Sequence, residues 1–140
     1  MTPQRATDVV DRFYSRLNEG DLDGVMSLFA DDYVGHWGLG SGGGGADTVR
    51  SHLGTWYTAA PDIHTEVAHT VTDGEWVASF VVVDGTQSGD FSAIPASNRP
   101  FRMAGVDMFR VRDGRITEGR TICDLGSLFI AAGAVPAMAG

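Results

Sequence analysis

Asp107, Arg120 and Asp124 are charged residues inside two strand-like runs, residues 101–112 and 115–124, whose other members are largely apolar. The runs flank Asp113-Gly114, a dipeptide that favours a two-residue type I′ hairpin turn. Regular pairing from that turn sets Val111 opposite Ile116, Asp107 opposite Arg120 and Met103 opposite Asp124. Alternation then gathers Met103, Gly105, Asp107, Phe109, Arg120, Ile122 and Asp124 on one core-facing surface. A carboxylate in apolar surroundings has its pKa raised by desolvation and becomes a useful base near neutral pH. A C–H flanked by carbonyls yields a delocalised enolate, so such a base needs no metal and no cofactor to remove its proton. Arg120, held by Asp107, would stabilise a developing oxyanion or bind a substrate carbonyl. The alternative is a partly buried Asp107–Arg120 pair that touches no ligand.

Other side chains join this face by their phase. Gln87 follows Val81 and Val83 in alternation, so its amide would face a pocket or else cap the loop after it. Tyr14 lies one helical turn from Val10 and Leu17 and would turn its hydroxyl inward. Phe29, Trp56, Met103 and Ile122 are candidate apolar walls, and His36 would reach the pocket mouth.

Composition narrows the chemistry. All 10 basic residues are arginine, which excludes a lysine Schiff base and a P-loop. The formal net charge of −8 disfavours nucleic acid. The four histidines, His36, His52, His64 and His69, are scattered, so no metal site is expected. The glycine-rich stretch 38–45 follows no βαβ pattern and reads as a mobile loop or lid instead of a dinucleotide site. No apolar run approaches the roughly 18–20 residues of a membrane span. The opening residues lack the layout of a secretory signal, and Cys123 has no cysteine partner, so a cytoplasmic protein is expected.

The elements that must position these residues are readable from periodicity. Thr2-Pro3 would begin a helix that buries Val9, Val10, Phe13, Tyr14 and Leu17 and stops at Gly20. Asp21 caps a second short helix, an extended segment covers 33–37, and a third helix runs over about 47–59. Strands at 63–72 and 76–85, the hairpin, and a short helix at 125–132 complete one α+β domain over residues 1–140.

This order of elements resembles the SnoaL-like polyketide cyclase family within the nuclear-transport-factor-2-like superfamily. The matching stretches are Val9-Val10-Asp11-Arg12-Phe13-Tyr14, Asn18-Glu19-Gly20-Asp21, Gly85-Thr86-Gln87-Ser88-Gly89-Asp90-Phe91, Ile94-Pro95 and Gly105-Val106-Asp107-Met108-Phe109-Arg110. Asp113-Gly114-Arg115-Ile116-Thr117-Glu118, Asp124 and Gly133-Ala134-Val135-Pro136 follow. The resemblance implies a cone, in which a strongly curved antiparallel sheet wraps three N-terminal helices around a deep apolar pocket, with a short C-terminal helix. It implies Asp124 as general acid/base of a cofactor-independent aldol-type cyclase acting on a hydrophobic polycyclic or poly-ketone substrate. Hydroxylase, epoxide hydrolase with an Asp-Arg-Asp site, and non-catalytic binding module are the alternatives. The chain departs from the family at Gly119-Arg120, where His-Trp is frequent, and at Gln87, where histidine is frequent. A homodimer or homotetramer through the outer sheet face, with Ala104, Val106 and Met108, is also expected.

Overall fold

The computed structural model describes residues 5–37 and 44–133. The proposed Thr2-Pro3 helix start, most of the glycine-rich stretch and residues 134–136 lie outside these. Helix α1 (Ala6–Asn18) buries Val9, Val10, Phe13 and Tyr14, the one-sided stripe that its spacing dictates. Gly20, at φ +72°, ends it in the left-handed conformation. Asp21 caps α2 (Leu22–Met26) by accepting a hydrogen bond from the Gly24 N–H. Strand β1 (Phe29–Trp37) comes next, then α3 (Ala46–Ala59), β2 (His64–Asp73), β3 (Trp76–Thr86), β4 (Pro100–Arg112), β5 (Arg115–Cys123) and α4 (Leu125–Ala131).

The strands form one five-stranded sheet in the order β1-β5-β4-β3-β2. It is antiparallel throughout except that β1 runs parallel to β5, so the sheet is mixed where a purely antiparallel one was expected. Helix α1 packs on β2, β3 and β4, and α3 packs on β1. The core joins Phe13, Phe29, Tyr33, Trp56, Val77, Val81, Phe101, Phe109 and Ile116 from both layers. Each such side chain contributes about 1.5–3 kcal/mol on leaving water. No helix among the described residues is long and apolar enough to cross a membrane.

The β4–β5 hairpin turns at Asp113-Gly114, both at positive φ (50° and 75°) as a type I′ turn requires. Val111 pairs with Ile116 as regular pairing demands, but Arg110 pairs with Glu118. Thr117 is therefore the extra residue of a β-bulge, and its Oγ1 donates to the Arg110 carbonyl at 3.3 Å. Beyond it every β5 side chain is inverted relative to simple alternation from the turn. Gly119, Thr121 and Cys123 share the inner face with Phe109, Asp107 and Gly105, while Arg120 and Ile122 share the outer face with Met108 and Val106.

Candidate active site

Between the sheet and helices α1 and α3 lies a cavity of about 130 Å³. Its walls are mostly apolar: Phe13, Phe29, Trp56, Val81, Met103 and Phe109 among them. Phe29, Trp56 and Met103, expected as apolar walls, are among the residues that line it.

The carboxylate in this cavity is Asp107. Tyr14 Oη donates to its Oδ2 at 2.6 Å and Thr121 Oγ1 donates to its Oδ1 at 2.9 Å. Among the described residues it makes no ion pair. Burial raises its pKa, opposed by the hydrogen bonds from Tyr14 and Thr121. Tyr14, itself buried, stands behind the carboxylate and does not border the cavity, so it supports Asp107 where direct substrate contact was expected. Burial and the adjacent Asp107 charge push the Tyr14 phenol far above its ordinary pKa, which keeps it a donor. Ser79 on β3, paired with Asp107, is buried beside the Tyr14 hydroxyl, and among the described residues its Oγ makes no hydrogen bond of good geometry.

The bulge corrects three assignments. Asp107 faces Thr121 and not Arg120, which is paired with Met108 and His36 on the outer face and does not border the cavity. Ile122 is 59% exposed on that outer face. Asp124 is exposed at the head of α4, where it accepts hydrogen bonds from the Ser127 N–H and the Ser127 hydroxyl; it is a helix cap and does not line the cavity. The Asp-Arg-Asp arrangement is consequently not assembled.

Two further candidates are placed differently. Gln87 is buried, but its Nε2 donates to the Pro95 carbonyl at 3.1 Å and its Oε1 accepts from Ser97 at 2.8 Å. It clasps the 87–98 loop, outside the cavity lining. His36 touches the cavity edge, yet its Nε2 is 3.3 Å from Glu118 Oε1, a contact on the outer side.

Three cavity residues were not singled out from sequence. Thr121 was hidden by the bulge. His52 lines the cavity and its Nε2 accepts from the Trp56 indole at 3.0 Å, and burial lowers its pKa. Its i, i+4 relation to Trp56 on α3 was the available signal. Tyr33 also lines the cavity, and burial first, then the charges of Asp107 and Glu118, push its phenol up to about 12. Among the described residues no group of three or more His, Cys, Asp or Glu could hold a metal ion.

A curved sheet packed with helices over an apolar cavity that holds a largely shielded carboxylate defines a small α+β protein with room for a hydrophobic small molecule. The family model for SnoaL-like polyketide cyclase matches residues 8–130, and the chain belongs to that family. It is a cyclase-type enzyme by this membership. It is 26% identical over 124 residues to the aklanonic acid methyl ester cyclase DauD of Streptomyces sp. (strain C5), covering 86% of this chain and 75% of that protein. The solved structure of IdmH from Streptomyces antibioticus, assigned as a polyketide cyclase, superposes with a TM-score of 0.81 at 31% identity, covering 94% of this chain and 100% of that one. AclR from Streptomyces galilaeus, assigned as a hydroxylase, shares the fold with a TM-score of 0.84 at 21% identity, covering 96% of this chain and 84% of that one.

Proposed function

We propose that the protein closes a ring of an aromatic polyketide by an intramolecular aldol reaction, with Asp107 as the general base. The observation that carries this is a carboxylate in an apolar cavity, held by two hydroxyls and by no cation among the described residues. Ionised Asp107 takes the proton from a carbon flanked by carbonyls. The resulting enolate carbon attacks a ketone carbonyl, one C–C bond forms, and the alkoxide takes the proton back from Asp107. Substrate and product are isomers, so the step consumes no oxidant and no co-reactant. Tyr14 and Thr121 hold the carboxylate in one orientation, and the aromatic walls suit a flat substrate.

Aklanonic acid methyl ester, the compound in DauD's name, is the first substrate to test. Purified protein without additives is expected to convert it to a product of identical mass with one ring more. A product heavier by one oxygen would favour hydroxylation and contradict the aldol reading.

We also propose that a second copy covers the outer sheet face, where Phe80, Val106 and Ile122 form one cross-strand apolar row.

A further inference from the structure

Gly35 and Gly119 are directly paired across β1 and β5, both on the inner face. Glycine inside a strand weakens it and marks a place where something approaches the backbone closely. Here the object is identifiable. A Cβ on Gly119 would overlap the Tyr33 hydroxyl, and one on Gly35 would come within 2.9 Å of the same oxygen. The two glycines make a recess in the sheet that receives the end of the Tyr33 ring.

The ring alone does not account for this. Tyr33 packs edge-on against Phe29 at 4.8 Å, a contact that phenylalanine would make equally well. Tyr33 is only 6% exposed and lines the cavity, and its hydroxyl, which keeps some accessible surface, makes no hydrogen bond to another described residue. A substrate that fills the cavity takes this hydroxyl out of water, which is costly unless the substrate brings it a hydrogen-bond partner.

Position says what the partner is. The Tyr33 hydroxyl lies over Gly119, and Thr121, two residues on, pairs with Asp107. Gly119 and Thr121 are one inner-face step apart, about 7 Å along β5. That is the span from a base at the donor carbon, across the forming C–C bond, to the oxygen of the acceptor ketone. We propose that Tyr33 is a second catalytic residue, whose phenol donates a hydrogen bond to the acceptor carbonyl and stabilises the alkoxide formed there. This role rests on Asp107 being the base. The phenol keeps its own proton throughout; the alkoxide is neutralised by the proton that Asp107 removed.

Tyr33→Phe deletes the hydroxyl and leaves the ring in its recess. The first readout needs no turnover: the infrared carbonyl band of 2-acetylnaphthalene soaked into the cavity. The band is expected at lower frequency in the wild type than in Tyr33→Phe, and a ketone that is unbound or unshifted overturns the proposal. The second readout separates the two residues by incubating aklanonic acid methyl ester in D₂O. Tyr33→Phe is expected to keep exchange of the substrate's acidic C–H and to lose cyclisation by about 10²-fold with KM unchanged, the scale of one oxyanion donor. Cyclisation at the wild-type rate overturns the role of Tyr33. Unimpaired exchange in Asp107→Asn overturns the base instead, and the carbonyl band still decides Tyr33.

Discussion

Asp107 faces Thr121 across β4 and β5, and the Thr121 hydroxyl donates to its carboxylate at 2.9 Å. A single extra residue, Thr117, creates that pairing in place of the Asp107–Arg120 pair that uninterrupted alternation would form. A hydroxyl orients a carboxylate while leaving it basic. An arginine at the same place would hold its pKa down and make it a poor base.

Burial raises the Asp107 pKa, so the charged form is disfavoured in the folded state. A raised folded pKa means that the stability linked to this group is fully present at acid pH and is lost as pH rises through the folded value. Asp107→Asn should therefore melt above the wild type near pH 8, and the gap should close as pH falls towards 4. In the wild type, kcat/KM should rise along an acid limb centred above the usual carboxylate pKa of about 3.9. Thermal melts and pH–rate profiles check both trends; a limb below that value would mean that Asp107 is not the titrating group.

Asp124→Ala removes the α4 cap, with an expected loss of about 0.5–2 kcal/mol in that helix. Turnover should stay within about twofold of the wild type, the range of a surface change worth ~0.5 kcal/mol. Denaturation and kinetic assays together separate a cap from a catalytic acid, whose loss would be far larger.

Gly119→Ala puts a methyl group where the Tyr33 hydroxyl and the Phe109 ring already sit. Overpacking of this kind costs about 1–3 kcal/mol. Combining it with Tyr33→Phe should return part of that loss, because one overlapping atom is gone. A urea-denaturation cycle over the four proteins measures the coupling, and strict additivity would place the hydroxyl elsewhere.

Ile122→Glu sets a charge in the apolar row with Phe80 and Val106. Sedimentation should show an assembly for the wild type and a monomer for the variant, with the fold unchanged by circular dichroism. A wild-type monomer would leave that row uncovered by a second copy.

Much of the fold was legible because it rests on periodicity and turn chemistry. The α1 stripe from Val9 to Tyr14, the cap at Asp21 and the Asp113-Gly114 turn each appear where their local physics puts them. Of the site, the inward position of Asp107 was legible because it lies on β4, whose alternation is unbroken, although its expected task was to hold Arg120. Arg120, Ile122 and Asp124 were not, since a bulge leaves no strong mark in residue type: Thr117 is an ordinary strand residue and its extra place shows only in the pairing. The parallel pairing of β1 with β5 is a long-range contact with no local signal, and the Gly35–Gly119 recess for Tyr33 depends on it.

Turnover of Asp107→Asn on aklanonic acid methyl ester, measured against Asp124→Asn under the same conditions, tests the central claim most directly. Asp107→Asn is predicted to lose about 10²–10⁴-fold in kcat while folding normally, and Asp124→Asn to keep the wild-type rate. The reverse pattern, with Asp107→Asn active and Asp124→Asn dead, would contradict the assignment of the cavity carboxylate as the base.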